Sequence, residues 1–264
     1  MPPKLHLLES PPMSRALLSP IKKALAALGY EIRKKSPEGT LPPDFSPEDA
    51  AVWQAVSPFT MTSPERIASL CAAVRHVVRA KIPGDIVECG VWKGGSMMAA
   101  ARTLLKEREA TRHLHLFDTF EGMTPPGAAD VSIDGDSAAR LLEIAPKQDL
   151  VWAHSPLEEA RNAVLSTGYD PDRISFVKGR VEDTIPAQAP ARIALLRLDT
   201  DWYESTRHEL VHLYPRLVSG GVLIIDDYGH WKGARKAVDE YLDENGIQLL
   251  LNRVDYTGRI ALKP

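Results

Sequence analysis

Two apolar segments that end in aspartate decide the predicted fold: Ile193-Ala-Leu-Leu-Arg-Leu-Asp-Thr-Asp-Trp-Tyr203 and Val222-Leu-Ile-Ile-Asp-Asp-Tyr228. Runs of Ile, Leu and Val without polar alternation are typical of parallel strands that helices cover on both faces. In such sheets, ligands bind just beyond the carboxyl ends of the strands. We therefore expect the aspartates of both segments at the binding edge of the sheet.

The residues between these strands, 205–219, have a helical pattern. Thr206 and Glu209 have the spacing of a capping box, and Gly220-Gly221 is expected to end the helix. A strand, helix, strand unit crosses over with a right-handed connection, which places its two strands side by side. The aspartates that follow the two strands can therefore converge.

Three of these aspartates, Asp199, Asp226 and Asp227, form a candidate metal site. Carboxylates about 4–6 Å apart repel each other by roughly 3–4 kcal/mol per pair at an effective dielectric constant near 20. A hard divalent cation such as Mg²⁺ converts this repulsion into attraction. A single aspartate at a strand end more commonly caps a helix, but an Asp-x-Asp and an Asp-Asp in one crossover unit favour a metal.

The composition indicates a single α/β domain of ordinary charge. The chain has 264 residues, 44% of them hydrophobic, with 32 basic and 35 acidic residues and a net charge of −3. This balance gives no electrostatic reason to expect binding to nucleic acid or to a membrane surface. Neither a spanning segment nor a secretory signal is recognisable, and two cysteines are too few for a disulfide framework. We expect a cytoplasmic protein.

The N-terminal region is rich in proline and has a different character from the rest. We predict that residues 1–56 form an arm or lid with a short helix near residues 19–28, which could contact a second subunit in a homo-oligomer. Residues 57–264 form the predicted catalytic domain.

The start of that domain has features of a site for an amino acid. Ser63-Pro64-Glu65 opens an amphipathic helix, and Thr62 and Ser63 could hold a carboxylate, although capping alone explains Ser63. The segment Asp85-Ile-Val-Glu-Cys-Gly-Val-Trp-Lys-Gly-Gly-Ser96 reads as a strand, a glycine turn and a helix start. The helix N-terminus favours an anionic group, and Glu88 in the strand suits an ammonium group. The dinucleotide fingerprint Gly-x-Gly-x-x-Gly is absent.

Two further strands suggest a site for a nucleoside. The second strand ends at Asp118, where nucleoside-binding α/β folds place the carboxylate that accepts the ribose hydroxyls. A third strand, residues 174–178, leads into a polar loop at 179–183 that could cover a flat base. Strands and helices then alternate up to a final hairpin. The predicted fold is a doubly wound, Rossmann-like, mostly parallel seven-stranded sheet with an antiparallel C-terminal hairpin strand.

Taken together, these segments resemble the macrocin O-methyltransferase family of class I S-adenosylmethionine (SAM)-dependent methyltransferases. The resemblance lies in Val87-Glu-Cys-Gly-Val-Trp-Lys-Gly-Gly, Leu116-Phe-Asp-Thr-Phe-Glu-Gly-Met, Leu198-Asp-Thr-Asp-Trp-Tyr-Glu-Ser-Thr, Gly220-Gly-Val-Leu-Ile-Ile-Asp-Asp-Tyr-Gly and Ala234-Arg-Lys-Ala-Val-Asp-Glu. It implies a Mg²⁺-dependent transfer of a methyl group from SAM to a hydroxyl of a small molecule, such as a sugar of a glycosylated natural product.

The resemblance also implies roles for single residues. Asp199, Asp226 and Asp227 would bind Mg²⁺, and Asp201 would be the general base, with His230 as a secondary candidate. The residues expected to bind the cofactor are Thr62, Ser63, Glu88, Gly90, Ser96, Asp118, Thr119, Gly179, Val181, Glu182 and Asp199. The acceptor is not identified by these motifs.

Two alternatives stay open at this point. An enzyme of the same fold could methylate a catechol or another phenol, since a vicinal diol of either kind can chelate the metal. A non-catalytic nucleoside-binding protein could keep the pocket without turnover, although simple binding does not require the acidic cluster.

Overall fold

A seven-stranded mixed sheet organises the part of the chain that the computed structural model describes, residues 41–147 and 149–264. The strands are β1 (Asp85–Cys89), β2 (Leu114–Asp118), β3 (Ile174–Lys178), β4 (Ile193–Leu198), β5 (Leu217–Ile225), β6 (Asn252–Arg253) and β7 (Arg259–Leu262). Their order is β3-β2-β1-β4-β5-β7-β6. Strands β1 to β5 are parallel, whereas β7 pairs antiparallel with both β5 and β6. The predicted fold class is confirmed.

Helices cover both faces of this sheet. They are α1 (Pro47–Val56), α2 (Pro64–Arg79), α3 (Gly95–Lys106), α4 (Ala138–Ile144), α5 (Leu157–Leu165), α6 (Val181–Thr184), α7 (Tyr203–Leu213) and α8 (Lys232–Glu244). Successive strand residues point to opposite faces. Ile86 and Leu195 therefore join one buried cluster with α2 and α3, while Val87 and Leu196 join another with α7 and α8. None of the helices within the described residues is long and apolar enough to cross a membrane.

The predicted helix at residues 205–219 was wrong in its bounds. Helix α7 ends at Leu213, and a short 3₁₀ turn follows that contains Pro215, which cannot continue an α-helix. Gly220 and Gly221 lie inside β5 rather than at a helix end. Gly220 has φ +77°, and the pairing of β4 with β5 changes register before Val222. These glycines therefore accommodate an irregular strand.

The predicted capping box does not form either. The helix begins at Tyr203, so Thr206 and Glu209 lie within it, and both are buried. The Glu209 side chain accepts a hydrogen bond from the Thr200 hydroxyl at 3.0 Å. Glu209 is consequently attached to the turn after β4 rather than to a helix terminus.

Helix α1 belongs to the packed body of the fold. It contacts α2 and α3, and Val56 at its end is fully buried in the same core as those helices. Packing therefore begins upstream of the expected boundary at residue 57. The predicted helix near residues 19–28 lies outside the described residues, and the arm's role in lid closure or oligomer contacts stays a prediction.

One glycine fixes the approach of the strand ends. Gly90 follows β1 with φ +83°, and a Cβ atom there would lie 1.8 Å from the backbone oxygen of Asp199. Only glycine permits this approach. The turn after β1 and the turn after β4 are therefore in direct contact, which brings the two predicted halves of the site together.

Candidate active site

A cavity of about 440 Å³ opens at the carboxyl ends of the parallel strands. The predicted site residues that line it are Thr62, Gly90, Ser96, Asp118, Thr119, Gly179, Val181, Glu182, Asp199, Asp201, Asp226, Asp227 and His230. Two others do not line it, Ser63 and Glu88. The sequence segments that were predicted to form a nucleoside site and an acidic cluster therefore share one cavity.

The acidic cluster lies where β4 and β5 end. Asp199 follows β4 and Asp226 follows β5, and the Asp226 amide donates to the Leu198 carbonyl at 2.9 Å, which continues the strand pairing. One carboxylate oxygen each from Asp199, Asp226 and Asp227 lies within 4.8 Å of the others. Burial, reinforced by the neighbouring carboxylates, raises the pKa of Asp227 well above its ordinary value.

A buried arginine lies beneath the cluster. Arg197 in β4 lies beside Glu88 of β1 in the strand register, and its Nη1 is 2.8 Å from the Glu88 carboxylate. The same guanidinium lies 2.7 Å from carboxylate oxygens of both Asp199 and Asp226. Arg197 is 3% exposed. It offsets part of the repulsion among these acids and fixes their orientation, because a buried ion pair is stable only when its hydrogen bonds are satisfied.

A second arginine reaches the cluster from outside the sheet. Arg66, in the first turn of α2, contacts the Asp226 carboxylate, and its Nε lies 3.0 Å from Asp255. The Asp255 carboxylate accepts the hydroxyl of Ser63 at 2.7 Å. The hydroxyl of Ser63 also caps α2 by accepting from the Arg66 amide. The structure thus engages Ser63 in capping and in this ion-pair network rather than at the cavity wall.

Asp201 extends from the turn between β4 and α7. Its backbone has φ +66°, in the left-handed region, and its amide donates to the Asp227 carboxylate at 3.2 Å. Its Oδ1 accepts the indole N–H of Trp231 at 2.7 Å. Burial raises the pKa of Asp201 to about 7, and the negative charge of Asp199 contributes to this shift. A carboxylate with such a pKa is suited to accept a proton near neutral pH.

His230 lines the cavity, and its amide donates to the Asp227 carbonyl at 3.0 Å. Its Nδ1 contacts the hydroxyl of Tyr256, and its ring packs edge-on against Trp231 with a centroid distance of 4.7 Å. Burial lowers the pKa of His230 below its ordinary value. The neutral form of the ring is therefore favoured.

Two predicted site residues, one at the cavity wall and one away from it, carry a buried polar atom without a partner within the described residues. Thr62 is 9% exposed and lines the wall, and its hydroxyl oxygen has no hydrogen-bond partner within the described residues. In the same part of the chain, Oε2 of the fully buried Glu88 also has none. Burial raises the pKa of Glu88 to about 8, although Arg197 opposes this shift. Buried polar groups are normally satisfied, so the Thr62 hydroxyl at the cavity wall indicates a missing polar ligand.

Asp118 has a local structural role in addition to the predicted one, which stays a prediction. One oxygen of its carboxylate accepts the amides of Val91 at 2.6 Å and Trp92 at 2.9 Å, and the other accepts the amide of Phe120 at 2.6 Å. Burial raises its pKa. The carboxylate thus ties the end of β2 to the glycine turn after β1, and it also lines the cavity.

Several aromatic and cationic residues that line the cavity were not predicted as site residues, among them Arg66, Arg197, Trp231 and Tyr256. For Arg197 a signal existed, because a single charge inside the apolar run at 193–198 requires buried partners. Arg66 and Tyr256 lie in a helix and a hairpin turn that are remote in sequence from the motifs. Only the tertiary structure brings these two to the cavity.

A family model described as macrocin O-methyltransferase (TylF) matches residues 22–262. The chain belongs to the macrocin O-methyltransferase family. The resemblance seen in the sequence motifs is thereby confirmed, and so is the enzyme class, an O-methyltransferase that uses SAM.

The relatives of this macrocin O-methyltransferase family member are named for different acceptors. This chain is 35% identical over 206 residues to the 8-demethyl-8-(2,3-dimethoxy-α-L-rhamnosyl)-tetracenomycin C 4′-O-methyltransferase of Streptomyces olivaceus, and the match covers 78% of this chain and 76% of the relative. It is 33% identical to the demethyldecarbamoylnovobiocin O-methyltransferase of Streptomyces niveus, with 78% and 76% covered. It is also 33% identical to the mycinamicin III 3″-O-methyltransferase of Micromonospora griseorubida, with 75% and 76% covered.

A solved structure supports the same assignment. The structure of the O-methyltransferase NovP superimposes with a TM-score of 0.67 at 31% identity, and 78% of this chain and 82% of NovP are covered. The calicheamicin methyltransferase CalS11 shares the fold, with a TM-score of 0.59 at 21% identity over 87% of this chain and 99% of CalS11.

Proposed function

We propose that this methyltransferase moves the methyl group of SAM to a sugar hydroxyl of a glycosylated natural product, with the assistance of Mg²⁺. The observation that carries the proposal is the convergence of Asp199, Asp226 and Asp227 beside the cavity. The acceptor class is supported by the relatives, whose names include a rhamnosylated tetracenomycin and mycinamicin III.

The donor set suits Mg²⁺, which prefers a few carboxylate oxygens and completes its shell with water or substrate oxygen. Asp226 is already contacted by two arginines, but a carboxylate offers about four lone-pair sites and can bind a cation as well. Asp227 is 9% exposed and has its side chain at the cavity wall. The three carboxylates would hold the cation, and Arg197 would keep two of them in place.

The other end of the cavity suits SAM. The unpartnered Thr62 hydroxyl at the cavity wall is placed for the carboxylate of the methionine part. We keep Glu88 as the partner of the ammonium group on the strength of the sequence motif, since its side chain does not line the cavity. Gly90 lines the cavity, and we assign its backbone to the methionine part as well. We assign Ser96 to the methionine part and Asp118 and Thr119 to the ribose. Gly179, which follows β3, and Val181 and Glu182 at the start of α6 are assigned to the adenine.

In the reaction the methyl–sulfur bond breaks, a methyl–oxygen bond forms, and the hydroxyl proton passes to Asp201. When bound, SAM supplies an electrophilic methyl group and Mg²⁺ supplies Lewis-acid polarisation of the hydroxyl. Proton transfer to a positioned base such as Asp201 contributes about 10²–10⁴ in rate. Alignment by the cavity walls contributes further, because effective molarities of oriented groups reach about 10⁵ M or more.

Calorimetry and a methylation panel test the proposal. We expect heat of binding with SAM and none with NAD. We also expect a mass gain of one methylene on demethyldecarbamoylnovobiocin or mycinamicin III that EDTA abolishes and Mg²⁺ restores. Absence of SAM binding would overturn the cofactor assignment, and full turnover in EDTA would overturn the role of Mg²⁺. Methylation of catechol without methylation of either glycoside would favour the competing acceptor class.

A further inference from the structure

Trp231 is a buried aromatic residue at the cavity wall whose backbone is fixed by several contacts. It immediately precedes α8, is 7% exposed, and its amide donates to the Asp227 carbonyl at 3.0 Å. An isolated antiparallel β-bridge pairs its backbone with that of Ser132. Its ring meets the ring of Trp202 edge-on at a centroid distance of 5.0 Å. The indole therefore has little freedom to rotate.

The indole N–H of Trp231 points at the proposed base. It donates to Oδ1 of Asp201 at 2.7 Å, which is short for a nitrogen donor and typical of a bond to a charged acceptor. Asp201 lies in a turn with φ +66° and has no regular secondary structure of its own to orient its side chain. The indole thus holds Oδ1 and fixes the carboxylate beside Asp227, which the Asp201 amide also contacts.

We infer that Trp231 is a positioning residue for methyl transfer, whose indole N–H holds the Asp201 carboxylate in the orientation that receives the acceptor proton. This inference rests on the proposed function, because it requires Asp201 to be the base. Reacting groups must be placed to within a fraction of an ångström, and a misplacement of about 1 Å can cost on the order of 10²-fold in rate. A rigid indole supplies such placement at low entropic cost.

The kinetic test compares Trp231→Phe with a matched variant, Trp152→Phe. Trp152 donates its indole N–H to the Ala145 carbonyl at 3.2 Å and does not line the cavity. With mycinamicin III or demethyldecarbamoylnovobiocin as acceptor, we expect Trp231→Phe to lower kcat by about 10–100-fold. The KM values should stay within about twofold, and Trp152→Phe should keep kcat within about twofold. A rise in KM with kcat unchanged would overturn the positioning role. Equal decreases of kcat in the two variants would overturn it as well.

A double-mutant cycle shows whether Trp231 acts through Asp201. If it does, Trp231→Phe should cause no further loss of kcat in an Asp201→Ala background, because the group that it positions is gone. If kcat of the double variant instead falls by the product of the two single losses, the inference is overturned. Full turnover by Asp201→Ala alone would instead refute Asp201 as the base, which separates failure of the proposed function from failure of this inference.

Nuclear magnetic resonance gives a readout that requires neither turnover nor a folded Trp231 variant. The chain has five tryptophans and hence five indole N–H signals. In Asp201→Asn, we expect the Trp231 signal to move upfield by more than any other, because a charge-assisted hydrogen bond becomes a neutral one. An unmoved Trp231 signal would show that the indole does not bind Asp201.

Discussion

The guanidinium group of Arg66 contacts the carboxylate of Asp226, and the buried Arg197 binds the same carboxylate from the opposite side at 2.7 Å. Asp226 therefore binds two arginines, the buried Arg197 and the more exposed Arg66. Arg66 is 15% exposed in its side chain and already has a second partner in Asp255.

We predict that Arg66→Gln tightens the binding of Mn²⁺ or Mg²⁺ by about 10-fold, because the substitution removes a positive charge a few ångströms from the proposed cation. Titration calorimetry with the metal alone measures this change. Arg75→Gln is the control, since Arg75 lies in the same helix and pairs with Asp49 at 3.0 Å, away from the cavity. Equal or weaker metal binding by Arg66→Gln would contradict the prediction.

Thr62→Val should weaken SAM binding by about 3–10-fold without loss of stability, since the hydroxyl that it removes has no partner among the described residues. Ser63→Ala should instead affect stability more than SAM binding. The Ser63 hydroxyl caps α2 and binds Asp255, so its loss should cost about 1 kcal/mol of stability and change SAM affinity less. Calorimetry with SAM and urea unfolding of both variants measure the contrast. Equal SAM affinity in Thr62→Val and the wild type would remove Thr62 from the cofactor site.

Glu209 should make stability depend on pH. It is fully buried, and burial raises its pKa well above the ordinary value of 4.5. Above pH 4.5 the unfolded chain loses this proton while the folded chain keeps it, so rising pH favours unfolding by up to about 1.4 kcal/mol per pH unit. The Glu209→Gln variant has no titratable carboxyl group at this position. We expect the variant to gain stability relative to the wild type between pH 5 and pH 7, and the difference to become constant below about pH 4.

Urea unfolding of both proteins at several pH values measures this difference. A difference that does not change with pH would mean that Glu209 is ionised in the folded protein. The hydroxyl of Thr200, which donates to Glu209, would then be its main stabilising partner.

The sequence predicted the sheet and the composition of the acidic cluster well, for a physical reason. The apolar runs at 193–198 and 222–225 can only be buried strands, and residues that follow adjacent parallel strands must lie at one edge. The glycine turn after the first strand was predicted as well, whereas the contact of Gly90 with the Asp199 backbone appears only in the structure.

Other features depended on tertiary context. Local spacing suggested that Glu209 caps a helix, but burial and the neighbouring turn determine its actual partner, Thr200. Arg66 and Trp231 lie 160 and 30 residues from the aspartates that they bind. No local pattern predicts such a pairing, since it depends on how α2 and α8 pack against the sheet.

Metal binding by Asp199→Asn is the most direct test of the central claim, that aspartates from two adjacent strands hold a divalent cation for methyl transfer. Calorimetric titration of the wild type and the variant with Mn²⁺, and separately with SAM, decides it. We predict that the variant loses most of its affinity for Mn²⁺ and its metal-dependent turnover while SAM affinity changes little. Unchanged Mn²⁺ binding together with full turnover in Asp199→Asn would contradict the claim.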